Sequence, residues 1–363
     1  MQQRDQSQPQ QTQLFMKTMF WFLPIVLLLL PVLEVHGKVP ALIVFGDSTV
    51  DPGNNNHIST ILKSDFEPYG RDFAGGKPTG RFSNGRIATD FIAEAFGIKS
   101  TVPAYLDPTY DIKDFATGVS FASAGTGFDN ATSDVLSVIP LWKELEYYAE
   151  FQDKLRGYLG NDKANEILRE ALHLISIGTN DFLENYYMLP GKSSQYTVVE
   201  YQNILLGIAR NFITELHRRG AQKITITGLP PMGCLPLERA TNIFFGSNCN
   251  EEYNNVAKDF NEKLSGAVTD LNKDLPGIQL VLSSPYEMVM EMIDNPTSFG
   301  FKNAAMACCG TGLFEMGYMC NKRNPFTCSD AREYIFWDSF HPTEKANRIV
   351  ADYVVKHFLA AFK

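Results

Sequence analysis

Short β-branched runs alternate with amphipathic stretches along almost the whole chain, and this alternation is its strongest constraint on fold. Strand-like runs occur at Ala41-Leu-Ile-Val-Phe45-Gly46, His173-Leu-Ile-Ser-Ile-Gly178, Lys223-Ile-Thr-Ile-Thr-Gly228 and Ile278-Gln-Leu-Val-Leu-Ser283, with a weaker one at Thr117-Gly-Val-Ser-Phe-Ala122. Between and after them, residues 85–97, 141–172, 197–219, 250–275 and 343–361 carry apolar residues at helical spacing. Such alternation predicts a parallel sheet with helices on both faces, an α/β sandwich whose crossovers are right-handed. After the N-terminal segment no repeat, low-complexity tract or Pro/Gly/Ser-rich linker divides the chain, so residues 38–363 are expected to form one domain.

In open α/β sheets, ligands bind beyond the carboxyl ends of the strands. Three of the runs end in small, polar sequences: Gly46-Asp47-Ser48, Ser123-Ala-Gly125-Thr-Gly127 and Gly178-Thr-Asn180-Asp181. All three would emerge on one edge. Ser48 stands where chemistry is usually done, although a serine after a strand is commonly a turn residue or a helix cap. The long segments 49–84, 229–249 and 306–330 would surround that edge.

A serine hydroxyl needs a base to act as a nucleophile near neutral pH, and histidine is the usual one. Of the six histidines, His36 lies in the N-terminal segment and His173 opens an apolar strand, a structural setting. His217 ends a helix whose dipole it would favour, His357 lies in the terminal helix, and His57 has only Asp51 nearby. His341 differs. In Trp337-Asp338-Ser-Phe-His341-Pro342 an acid three residues earlier can converge on the imidazole, fix its tautomer and stabilise its charged form. Pro342 is expected at the first position of the following helix. The Ser48 amide, the Gly125 amide and the Asn180 side chain are candidate donors to the oxyanion of a tetrahedral intermediate.

The formal net charge of −9 argues against a polyanionic partner, and the three tryptophans form no stacking platform, so nucleic acid is excluded. The first 37 residues read as a secretory signal: Lys17 precedes an apolar core, Phe20 to Leu33, interrupted by Pro24 and Pro31, and Val35-His36-Gly37 offers a cleavage site. That core falls short of the roughly 20 apolar residues of a membrane span. No later stretch is apolar enough to span, so the mature chain is expected near Lys38, secreted and extracellular. All six cysteines, 234, 249, 308, 309, 320 and 328, lie in the C-terminal part. In an exported chain they predict disulfides, with 15 possible pairings, and the adjacent Cys308 and Cys309 are poorly placed to pair with each other. A zinc site lacks its usual Cys-x2–4-Cys opening. Asn130-Ala-Thr132 is a glycosylation sequon, whereas Asn295-Pro-Thr297 is excluded by its proline.

The motifs Phe45-Gly-Asp-Ser48-x-x-Asp51-x-Gly-Asn-Asn, Ser120-Phe-Ala-Ser-Ala-Gly125, Ile177-Gly-Thr-Asn180-Asp and Asp338-x-x-His341-Pro resemble, in order, the four sequence blocks of GDSL esterases/lipases of the SGNH hydrolase superfamily. Thr79-Gly-Arg-Phe-Ser-Asn-Gly-Arg86 and Gly228-Leu-Pro-Pro-Met-Gly-Cys234 resemble further segments of its plant branch. The resemblance extends from Val39 onward. It implies a flavodoxin-like α/β/α sandwich with a five-stranded parallel sheet, and hydrolysis of small-molecule or lipid carboxylic esters without cofactor or metal. It casts Ser48 as nucleophile, His341 as base and Asp338 as its orienting acid, with Ser48, Gly125 and Asn180 forming the oxyanion hole. Many relatives carry Asn where this chain has Ser120, which leaves the bracing of that loop open. No Gly-x-Ser-x-Gly elbow occurs, arguing against a standard α/β-hydrolase. An acyltransferase with the same triad and a non-catalytic binding protein are the competing readings. A metal-dependent hydrolase lacks a ligand cluster such as His-Glu-x-x-His.

Overall fold

The computed structural model describes residues 39–242 and 248–362. The leader expected over residues 1–37 lies outside them. Five strands form one parallel sheet: β1 (Leu42–Gly46), β2 (Gly118–Ser120), β3 (Leu172–Ser176), β4 (Lys223–Thr227) and β5 (Gln279–Ser283). Their spatial order is β2-β1-β3-β4-β5, so β1 and β3 are neighbours at the point where the connection reverses direction. This is the flavodoxin-like order, with its binding crevice at the β1/β3 switch point.

β1 is buried along its whole length, as its unbroken Leu-Ile-Val-Phe run requires of a strand covered on both faces. Ile43, Phe45, Ile175, Ile224 and Ile226 face one core. There they meet helices α3 (Leu141–Leu159), α5 (Val198–Arg218), α6 (Glu251–Asp274) and α7 (Tyr286–Asp294) through Phe151, Phe212, Phe260 and Met292. Leu42, Val44, Leu172 and Leu174 face the other, against Phe91 and Ile92 of α1 (Ala88–Ala95) and Ala351 and Val354 of α8 (Glu344–His357). The three layers expected from the alternation are therefore present. The helical stretch predicted over 141–172 divides at Gly160 (φ +80°), which ends α3 and starts α4 (Asn161–Glu170). A left-handed residue there stops α3, and glycine adopts it without steric penalty.

Two elements were not anticipated. A two-stranded parallel sheet joins β6 (Asn303–Ala307) to β7 (Tyr334–Phe336). β6 reads Asn-Ala-Ala-Met-Ala and carries no β-branched residue to mark it. The segment Asp181–Met188 is π-helical, a winding that sequence period does not disclose. Pro342 also differs from expectation. Helix α8 begins at Glu344, and its N-cap is Thr343, whose hydroxyl accepts from the Ala346 amide at 3.3 Å. A threonine at this cap satisfies a helix-end amide, which proline has no side-chain oxygen to do. Pro342 instead forms an antiparallel bridge with Phe336.

Three disulfides, Cys234–Cys249, Cys308–Cys328 and Cys309–Cys320, take up all six cysteines. The adjacent Cys308 and Cys309 each pair with a different partner.

Candidate active site

β1 delivers Ser48 through a turn that only glycine can enter. Gly46 has φ +141°, and a Cβ there would lie 1.9 Å from the Ser176 carbonyl oxygen of β3. The Gly46 amide, left without a strand partner, donates to Glu144 Oε2 at 2.9 Å, and the Asp47 amide donates to Ser176 O at 3.0 Å. At the other end of the chain β7 runs into Trp337, whose amide donates to the His341 carbonyl at 2.7 Å and closes the loop carrying Asp338 and His341.

Asp338 Oδ1 accepts from the Phe340 and His341 amides at 2.9 and 2.7 Å. His341 Nδ1 lies 2.8 and 2.9 Å from the two carboxylate oxygens, so it carries the proton and leaves Nε2 free to accept. Nε2 is 2.7 Å from Ser48 Oγ. All three side chains are buried, Asp338 completely. The Phe82 ring packs against the imidazole at 4.9 Å between centroids. The structure thus brings Ser48, His341 and Asp338 into one hydrogen-bonded chain.

Gly125 and Asn180 lie on the loops after β2 and β3. Gly125 has φ +86°, and a Cβ there would come within 2.8 Å of a Leu62 methyl. Asn180 Nδ2 donates to Thr126 O at 3.0 Å, which joins the two loops, and among the described residues its second amide hydrogen has no protein partner. Among the described residues, neither the Ser48 nor the Gly125 amide donates to a protein group. The two loops are fixed by buried carboxylates and amides that the motifs contained but that sequence reasoning left without a role. Asp51 accepts from the Gly53, Asn54 and Ala124 amides. Asn54 donates to the Ser120 and Ala122 carbonyls, Asn55 to Leu62 and Ala124. Asp181 accepts from the Phe128 and Asp129 amides and the Thr132 hydroxyl. Ser120, where the resemblance left the bracing of this loop open, donates to Val50 O at 3.0 Å and ties the loop to the turn that carries Ser48.

The Thr79–Arg86 segment clamps the histidine loop. Arg81 and Asp90 form a buried two-pronged ion pair, Nε to Oδ2 at 2.8 Å and Nη2 to Oδ1 at 2.9 Å. Phe82 follows, Ser83 donates to Pro342 O, and Asn84 accepts from the Glu344 amide. In sequence the segment is polar and charged, as a surface loop is, yet the fold buries it almost wholly.

Burial pushes the Asp47 and Asp51 carboxyls up to about 6 and those of Asp181 and Glu184 to about 7, against the hydrogen bonds that Asp47, Asp51 and Asp181 accept. It raises Glu144 well above the ordinary range. His173 is buried with its Nε2 3.0 Å from the Tyr148 hydroxyl, and burial lowers its pKa to about 4, so it is structural, as expected. His57 and His357 are exposed, and His217, at the end of α5, lies 3.1 Å from Pro276 O. Asn130 is exposed at the first position of a short helix, α2 (Asn130–Leu136). An apolar cavity of about 150 Å³ lies on the α8 side of the sheet. Its walls include Asp47 and Thr49, which flank Ser48, and Phe340 and Pro342, which flank His341.

The GDSL-like Lipase/Acylhydrolase family matches residues 42–354. The chain belongs to this family. Three GDSL esterase/lipases of Arabidopsis thaliana are 65%, 62% and 56% identical to it. The alignments cover 93%, 89% and 90% of this chain and 96%, 93% and 93% of the respective relatives. This GDSL protein is accordingly a carboxylic ester hydrolase. Among its described residues no helix is long and apolar enough to cross a membrane.

Proposed function

We propose that this GDSL hydrolase is a secreted serine esterase that works through an acyl-enzyme on Ser48. The observation that carries the reading is the hydrogen-bonded chain Ser48–His341–Asp338, with Nε2 of the imidazole directed at the hydroxyl. Ser48 Oγ attacks the ester carbonyl and forms the new C–O bond as its proton passes to His341 Nε2. Asp338 holds the resulting imidazolium. The free amides of Ser48 and Gly125 and the unused hydrogen of Asn180 take the oxyanion, and one such donor is worth on the order of 3 kcal/mol. The intermediate collapses, the bond to the alcohol oxygen breaks, and Nε2 returns the proton to the leaving alcohol. Water then attacks the acyl carbon, giving its proton to Nε2. When the acid departs, that proton returns to Oγ.

A hydrocarbon acyl group belongs to this reading, since the apolar cavity is walled by the chain neighbours of Ser48 and His341, although by neither of the two themselves, and the disulfides support an oxidising compartment. A leader over residues 1–37, cleaved before Lys38, and a glycan on the exposed Asn130 belong to the same reading. The test is Ser48→Ala assayed against a panel of p-nitrophenyl esters of increasing chain length. Turnover of every ester should vanish with the melting temperature unchanged. Persisting turnover would remove Ser48 from the mechanism.

A further inference from the structure

Asp338 has a partner that the triad does not account for. Tyr69, in the long segment between β1 and α1, is fully buried, and its hydroxyl lies 2.7 Å from Asp338 Oδ2 across 269 residues of chain. The Tyr69 hydroxyl also accepts from the Gly317 amide at 2.9 Å. An amide can only donate, so the hydroxyl accepts from Gly317 and its own proton must go to Asp338. Burial and the adjacent Asp338 charge push the phenol well above its ordinary pKa, so that proton stays in place across the working range of an esterase. The two backbone amides that hold Asp338 both bind Oδ1. Among the described residues, Tyr69 is the donor to Oδ2 apart from His341 itself.

The ring is fixed as firmly as the hydroxyl. It meets Phe66, Phe82 and Trp337 edge-on at 5.7, 5.8 and 6.0 Å between centroids. Phe82 is the ring that packs on His341, and Trp337 precedes Asp338. Gly317 lies in the loop closed by Cys309–Cys320. The Cys309 amide ties one end of that loop to Trp337 O at 2.7 Å, and at the other end the Cys320 amide closes a tight turn on Gly317 O at 2.9 Å.

We propose that Tyr69 is a positioning residue for the catalytic acid, held in register by the disulfide-closed loop 309–320; this rests on the triad reading above. The hydroxyl does two things. It fixes the plane of the carboxylate, so that both oxygens face Nδ1. It also draws off part of the negative charge that would otherwise stabilise the imidazolium. Removing it leaves a less well held, more basic carboxylate, which retains the imidazole's proton to higher pH. Other groups near the loop differ in setting. Asp47 approaches from the nucleophile's turn, and Arg71 lies over the Trp337 ring at 4.9 Å. Glu315 is engaged by the Thr311 amide and hydroxyl, and Glu344 by the Arg86 amide. None of these donates to Asp338.

The experiment is Tyr69→Phe in the full-length secreted protein, which keeps the ring and removes one oxygen. Fluorophosphonate labelling of the wild type at Ser48 comes first. The kcat/KM–pH profile on a short p-nitrophenyl ester is then compared between the two proteins. The acidic limb should move to higher pH by about half a unit or more, and kcat should fall about tenfold with KM little changed, as expected for one charge-assisted hydrogen bond. The Cys309→Ser/Cys320→Ser protein should move the same limb in the same direction, and should add nothing in the Tyr69→Phe background. Labelled wild type with an unmoved limb in Tyr69→Phe overturns the proposal and leaves the triad standing. Additive shifts in the combined variant overturn the part assigned to the loop. Wild type that fails to label at Ser48 removes both the triad reading and the role of Tyr69.

Discussion

His341 Nε2 lies 2.7 Å from Ser48 Oγ, a contact between residues 293 positions apart. Two independent anchors produce it. Ser48 is placed by the end of β1, whose glycine turn is locked to β3. His341 is placed by the loop between β7 and α8, and α8 packs on the same face of the sheet as α1. The hydroxyl and the imidazole meet because a central strand and the C-terminal helix share one core.

Asp338→Asn tests the acid. Asparagine keeps an acceptor for the Phe340 and His341 amides, so the loop should hold. Its amide, however, offers a hydrogen where Nδ1 needs an acceptor, which favours the wrong tautomer. We expect kcat to fall on the order of 10⁴-fold with the fold intact. A loss below tenfold, measured on a short ester, would show that His341 is oriented by something else.

Asn180→Ala tests the oxyanion donors. Removing a single donor should lower kcat by about 10²–10³-fold with little change in KM, because the interaction strengthens only in the transition state. Thr126 O also loses a partner, so a modest drop in melting temperature should accompany it. If stability falls while kcat holds, Asn180 serves only to join the two loops.

The sheet, its five strands and the three residues that meet in the hydrogen-bonded chain Ser48–His341–Asp338 were legible in the sequence because each is written locally: a β-branched run, a glycine turn, an acid three residues from a histidine. What holds the site was not. Arg81 and Asp90 form a buried ion pair that sets Phe82 against His341, yet in sequence they look like ordinary surface charges. Tyr69 reaches Asp338 from a segment with no periodic pattern. Pairings between distant loops leave no period, and β6, rich in alanine, lacks the β-branched residues that marked the other strands. Pro342 misled because proline is favoured at a helix start, whereas here the helix is capped by the Thr343 hydroxyl, which accepts from the Ala346 amide three residues on.

Stability should depend on pH in a defined direction. Burial raises Asp47 and Asp51 to about 6, and Asp181, Glu184 and Glu238 to about 7. These acids stay protonated in the folded chain at pH values where the unfolded chain has released the proton. Their contribution is therefore fully present below about pH 4 and is lost as pH rises through 6 to 7. His173, lowered to about 4, acts oppositely: its contribution is present above about 6.5 and lost as pH falls toward 4. Five acids against one histidine predict a higher melting temperature at pH 5 than at pH 8. Calorimetry across that range checks this; a melting temperature that rises from pH 5 to pH 8 would mean that the carboxylates are held as anions by their hydrogen bonds.

The most direct measurement is the site of covalent modification by a fluorophosphonate, read by mass spectrometry of the digested protein. An adduct on Ser48 alone, formed by the wild type and strongly slowed in His341→Ala, is the predicted result. An adduct on another serine, or labelling of Ser48 that proceeds unchanged without His341, would contradict the account.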